Sequence, residues 1–96
     1  MNFENIKYIY FLGIGGIGMS ALARYCKAMG KSVSGYDKTR TALTDELVAE
    51  GIAVHYEDNV DLISSELRTP GSGLLVVWTP AIPMDHSELK YFQKNN

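Results

Sequence analysis

The chain reads as an α/β domain of three layers, a parallel sheet with helices on both faces. Three observations predict it. Strand and helix signals alternate along the whole chain. Four glycines crowd into residues 13–18, directly behind the first strand signal. A carboxylate, Asp37, closes the second strand. Alternation of this kind calls for a parallel sheet wrapped by helices.

The elements follow in order. Residues 7–12 are aromatic and apolar and end at glycine, the signature of a buried strand. Residues 16–29 form a helix, with Ile17, Ala21, Leu22, Tyr25, Cys26 and Met29 recurring at helical spacing as its apolar side and Gly30 as its stop. Residues 32–36 make the second strand. Residues 39–50 make the second helix, with Leu43, Leu47 and Val48 inward and Gly51 beyond it. A short third strand spans residues 52–56. Residues 60–67 read as a weak third helix that turns Val60, Ile63 and Leu67 inward. Residues 69–73, Thr-Pro-Gly-Ser-Gly, are a loop. Residues 74–78 are apolar throughout, which suits a central strand covered on both faces. A last helix spans residues 85–94, with Asp85 and Glu88 at capping-box spacing.

The resulting order is β-α-β-α-β-α-β-α. Right-handed crossovers arrange it as a Rossmann-like sheet in the order 3-2-1-4, with a fifth strand missing from the expected set. The ligand crevice of such a sheet lies at the carboxyl ends of strands 1 and 4, where the order reverses. The glycine cluster and the segment at residues 79–83 both fall there. The expected organisation is therefore one domain over residues 1–96, a fragment of a longer protein.

Composition narrows the function classes. The chain has 96 residues, 46% of them hydrophobic, and a net charge of −2, so it can bury one small core. No long basic run is present, which argues against nucleic acid and anionic membrane as partners. The single cysteine, Cys26, excludes an intrachain disulfide and is expected as a small buried group. A cytoplasmic setting follows as the expectation. No stretch is long enough to span a bilayer as a helix.

The glycine cluster carries the chemistry. Gly13, Gly15 and Gly18 fit the spacing G-x-G-x-x-G, and Asp37 follows nineteen residues after the last. The first glycine permits the turn, the second lets a diphosphate approach the backbone, and the third lets helix and strand pack closely. A branched side chain at Gly15 is thus expected to block the ligand and spare the fold. The helix behind the loop offers unpaired N–H groups and a partial positive charge to an anion. A plain strand-to-helix turn is the alternative. Asp37 can accept from ribose hydroxyls or cap a turn. Lys38-Thr39-Arg40 can bind a phosphate or open the next helix in solvent.

Other candidates fall away. Gly30-Lys31-Ser32 lacks the earlier glycine of a P-loop and joins helix to strand, the wrong way round. His55 and His86 lack metal-ligand spacing, so no metal site is expected, and His55 reads as a satisfied side chain. Glu57 and Asp58 read as solvated, and Trp78 as core packing. No catalytic constellation stands out.

The residues also carry a family resemblance. Residues 12–21, Leu-Gly-Ile-Gly-Gly-Ile-Gly-Met-Ser-Ala, then Val33-Ser34-Gly35-Tyr36-Asp37, then Thr79-Pro80-Ala81-Ile82-Pro83, resemble the amino-terminal domain of the Mur ligases. The resemblance implies a domain that grips the UDP part of UDP-N-acetylmuramic acid in peptidoglycan synthesis. It implies central and carboxyl-terminal domains, outside this chain, that bring ATP, Mg2+ and the amino acid. The whole enzyme would activate the muramyl carboxylate as an acyl phosphate for attack by the alanine amine. This fragment would bind without catalysing and hold no cofactor itself. Carried over by position, Gly13, Ile14, Gly15, Gly16, Ile17, Gly18, Met19 and Ser20 would meet the diphosphate and its neighbours. Asp37 would meet the nucleoside. Thr79, Ala81 and Ile82 would line the other wall. Tyr36 and Thr79-Pro80 stand where relatives often have serines. The histidine that relatives carry after the third strand has no counterpart in Glu57-Asp58-Asn59. Glycines and Asp37 equally suit an NAD(P)-binding module of an oxidoreductase or a regulatory domain, which stays open as the alternative.

Overall fold

A computed structural model describes residues 3–95. Four strands, β1 (Tyr8–Leu12), β2 (Ser32–Tyr36), β3 (Ala53–His55) and β4 (Leu74–Trp78), form one parallel sheet in the order β3-β2-β1-β4. Three helices, α1 (Ile17–Ala28), α2 (Ala42–Ala49) and α3 (Ser87–Lys94), flank it, with 3-10 turns at Phe3–Asn5 and Val60–Leu62. Register aligns Leu12 with Tyr36 on one side and Trp78 on the other, and Tyr36 with His55. All four strands therefore end along one rim.

Period-two alternation sorts the side chains into two cores. Ile9, Phe11 and Val33 face Ala23 and Cys26 of α1 and Leu47 of α2. Tyr10, Leu12 and Tyr36 face Leu89 and Phe92 of α3, with Ile63 and Leu67 beside them. Phe11 and Leu12 are fully buried on opposite faces of β1, each contributing about 1.5–3 kcal/mol.

Five expectations are corrected. The helix over residues 60–67 is one 3-10 turn, Val60–Leu62, followed by irregular chain. The Ser64 hydroxyl accepts the Glu66 N–H, and the Asn59 side chain accepts that of Asp61, so local side chains replace the helical ladder. The inward positions still hold, because Ile63 and Leu67 are buried without a helix. β4 is an edge strand, half-buried along Leu74–Val77, and not central. Trp78 at its end is 41% exposed rather than packed in the core.

The inward face of α1 also differs. Ser20, Ala23 and Cys26 are buried, whereas Ile17, Ala21, Leu22, Tyr25 and Met29 are exposed. Small residues lie against the sheet, and the larger apolar positions turn outward. In α2, Leu47 is buried as expected and Thr44 with it, whereas Val48, expected inward, is exposed. Gly30 and Gly51 do end their helices, at φ +87° and +93°, where an L side chain would be strained. Burial pushes the Cys26 thiol up, consistent with a packing role.

Candidate functional site

The sheet order reverses between β1 and β4, and the glycine loop lies there, at the carboxyl end of β1. Gly13 turns the chain out of β1 at φ +95°. The backbone donors can then be followed one by one. The Gly13 and Ile14 N–H groups both donate to the Tyr36 carbonyl, at 2.8 and 3.0 Å. That of Gly15 donates to Asp37 Oδ2 at 2.7 Å. Gly16 donates to the Gly13 carbonyl, and Ser20 to that of Gly16. Gly16 is the N-cap of α1 and has no side chain to close the helix. The first turn of α1, at Ile17, Gly18 and Met19, thus supplies the loop's outward donors, with the positive end of the helix dipole behind them.

The glycines do not all serve as expected. A Cβ on Gly15 would stand 2.8 Å from Asp37 Oδ2 and 3.0 Å from Thr44 Cγ2. The space above Gly15 is already filled by the protein, so a branched side chain there would displace Asp37 and the start of α2 as well as any ligand. A Cβ on Gly18 would meet nothing within 4 Å, so Gly18 is not the close-packing glycine. Gly35 is. Its Cβ would lie 2.5 Å from the Phe11 carbonyl oxygen and 2.9 Å from Ile14 Cδ1. Gly35 lies within the Val33–Asp37 block but outside the G-x-G-x-x-G spacing, and its close approach to Phe11 and Ile14 depends on the pairing of β1 with β2, which hid its packing role in the sequence.

The remaining assigned residues divide by exposure. Ile14 is fully buried and offers a ligand nothing. Ser20 is buried, with its hydroxyl donated to the Ile17 carbonyl at 3.0 Å. Met19 packs partly against the core beneath α1 and α2. Ile17 is 86% exposed beside the open helix end. Across the loop, a Gly13 Cβ would touch Thr79 Oγ1 at 3.4 Å, so the two predicted walls do meet. Thr79 Oγ1 also accepts the Ala81 N–H, and its carbonyl accepts that of Ile82. Ala81 is exposed, whereas Ile82 is buried in the core beneath α3. Arg40 is paired with Asp45 in solvent. The tripeptide Gly30-Lys31-Ser32 enters β2 at the end opposite the rim, with Lys31 Nζ on the Phe3 carbonyl.

One polar cluster at the rim escaped the sequence reading. Glu88, fully buried at the start of α3, accepts from the Tyr10 hydroxyl at 2.5 Å and from the Asn59 N–H at 3.1 Å, and lies 2.7 Å from His55 Nε2. Burial first, and Glu88 beside it second, hold the Tyr10 phenol far above its ordinary range. Asp58, expected in solvent, instead accepts the Ser87 and Glu88 N–H groups at the start of α3. His86, rather than Asp85, is the N-cap residue. His55 is satisfied, as expected, through Glu88. A cavity of about 290 Å³ lies at the other end of β4, between Leu67, Leu74, Tyr91 and Asn95, and does not reach the glycine loop.

At the reversal point, therefore, an uncapped helix start faces Thr79, the residue just after β4. The profile of the Mur ligase family, catalytic domain, matches residues 8–96. The chain belongs to the Mur ligase family. Among relatives, the UDP-N-acetylmuramate–L-alanine ligase of Flavobacterium psychrophilum is 58% identical over 92 residues, covering 96% of this chain and 20% of that protein. The same-named ligase of Flavobacterium johnsoniae is 55% identical over 96 residues, covering 100% of this chain and 21% of that one. The crystal structure of the UDP-N-acetylmuramate–alanine ligase MurC from Thermotoga maritima matches with a TM-score of 0.77 at 32% identity, over 91% of this chain and 19% of that one. The chain thus spans about a fifth of the length of the Mur ligases it matches. The Rossmann-like order predicted from the sequence is the one this family member adopts.

Proposed function

We propose that the chain is the nucleotide-sugar-binding domain of a UDP-N-acetylmuramate–L-alanine ligase of peptidoglycan synthesis. The observation that carries the reading is the uncapped first turn of α1 beneath the glycine loop, in a chain more than half identical to ligases of that name. The N–H groups of Ile17, Gly18 and Met19 take the diphosphate of UDP-N-acetylmuramic acid. Gly13, Gly15 and Gly16 shape the loop, and Ile14 and Ser20 anchor it to the core. Asp37 acts from the end of β2 through its contact to Gly15. Thr79 and Ala81 form the far wall, with Ile82 supporting it from below.

Ligation itself belongs to the rest of the protein, where central and carboxyl-terminal domains bring ATP, Mg2+ and alanine. Among the described residues no group of three or more His, Cys, Asp or Glu is placed to hold a metal ion. No described helix is long and apolar enough to cross a membrane, and the reading places the enzyme in the cytoplasm.

The test is an NMR titration of the labelled chain with UDP-N-acetylmuramic acid, UDP, NAD and NADP. Shifts at residues 15–19 and Asp37 with the two uridine ligands alone are the expected result. Shifts with NAD or NADP alone would overturn the reading in favour of a dinucleotide-binding module. Ligation by the 96-residue chain alone would overturn the division of labour.

A further inference from the structure

Both oxygens of Asp37 are engaged by backbone from two different loops. Oδ2 accepts the Gly15 N–H at 2.7 Å, and Oδ1 accepts that of Thr39 at 3.0 Å. The Asp37 N–H donates in turn to the His55 carbonyl at 3.1 Å, which seats the residue on the end of β3. A carboxylate held this way is built into the scaffold, and a short bond of this kind to an ionised acceptor is among the stronger ones. It also explains why residue 15 is glycine, since any Cβ would press on Oδ2 and on Thr44.

We propose that Asp37 is the positioning residue of the glycine loop, and not a hook for ribose. It occupies the Gly15 N–H with an internal carboxylate and so directs an incoming phosphate onto Ile17, Gly18 and Met19. The other donors of the loop are taken by the Tyr36 and Gly13 carbonyls, so this one contact decides whether the anion cradle begins at Gly15 or at Ile17. The carboxylate beside the cradle also repels a second anion at the β2 side. The site therefore suits a diphosphate whose neighbouring group at β2 is neutral. The proposal rests on the substrate reading above only for the identity of the ligand.

The experiment compares the wild-type chain with Asp37→Ala and Asp37→Asn. It records the Gly15 amide by NMR and the affinities for UDP, inorganic pyrophosphate and uridine by titration. In Asp37→Ala the Gly15 amide should move upfield and exchange roughly tenfold faster or more, as expected for loss of a local constraint. UDP and pyrophosphate should bind about tenfold more weakly, the scale of one charge-assisted hydrogen bond, while uridine changes less than about twofold. Asp37→Asn keeps an acceptor for Gly15 and should restore UDP binding to within about threefold of wild type.

An unmoved Gly15 amide in Asp37→Ala overturns the proposal, as do equal losses for uridine and UDP, or unchanged UDP affinity once the amide has moved. A wild-type chain that binds pyrophosphate but not UDP defeats the substrate reading alone. One that binds neither defeats both. Should Asp37→Ala fail to fold, Gly15→Ala displaces the same carboxylate from the other side and must give the same pattern for the proposal to stand.

Discussion

The starts of α1 and α3 lie on the same rim and are built in opposite ways. At α3 the orphan N–H groups are closed. Asp58 accepts from Ser87 and Glu88, His86 Nδ1 accepts from Leu89, and the Glu88 carboxylate is buried beneath. α2 is closed too, by the reciprocal Thr41 and Thr44 pair. At α1 the cap is a glycine without a side chain, and the loop before it spends its own donors on Tyr36, Asp37 and Gly13. A helix end that serves only the fold satisfies its donors internally. A helix end that serves a ligand forgoes that stabilisation and leaves them for an anion.

Opening the closed end should have the largest effect. Glu88→Ala removes the acceptor shared by Tyr10 and Asn59 and leaves His55 Nε2 only its 3.2 Å contact with the Tyr10 hydroxyl, and should destabilise the domain by about 3–5 kcal/mol, read by urea unfolding. A loss under about 1 kcal/mol would mean that water replaces Glu88 freely and that the end is not sealed.

Closing the open end is the converse. The Gly16 backbone, at φ −65° and ψ 149°, already suits an N-cap, and a Cβ there would meet its nearest neighbour at 3.6 Å. Gly16→Asp should raise stability by only a few tenths of a kcal/mol and weaken UDP binding about tenfold or more, by occupying and repelling at the same turn. Calorimetric titration beside thermal unfolding separates the two effects.

The seal also has a pH signature. Burial and Glu88 raise the folded Tyr10 pKa, so the unfolded phenol loses its proton first as pH rises past about 10. The native state then holds the extra proton. Its contribution is complete below pH 10 and is lost at about 1.4 kcal/mol per pH unit above it. Absorbance titration should show one tyrosine that ionises only on unfolding, and early ionisation of all six would contradict the seal.

The smallest expected effect is at Gly18. Nothing lies within 4 Å of its Cβ position, so Gly18→Ala should be neutral or stabilising by up to about 1 kcal/mol. Unchanged UDP affinity in that variant would confirm that backbone, and not the missing side chain, makes the cradle there. Lost affinity would show that the ligand itself approaches Gly18.

Legibility followed range. Glycine at 13, 30 and 51 was readable as a left-handed stop or turn because that demand is local to the backbone. Alternating apolar blocks and right-handed crossovers sufficed for the order β3-β2-β1-β4. The helix over residues 60–67 failed because its serines and Asn59 bind neighbouring backbone, a competition that periodicity does not weigh. The outward turn of α1 was invisible because its apolar stripe is real, but close contact with the sheet admits only Ser20, Ala23 and Cys26.

The sequence by itself therefore determined the fold class, the strand order and the place of the glycine loop, since each rests on local backbone preference and on the periodicity of burial. Only the tertiary structure decided which groups meet. It set Asp37 on Gly15 across 22 residues, Glu88 on Tyr10 across 78, and Gly35 against Phe11. Such contacts depend on angles and distances between packed elements, and no spacing within a single segment encodes them.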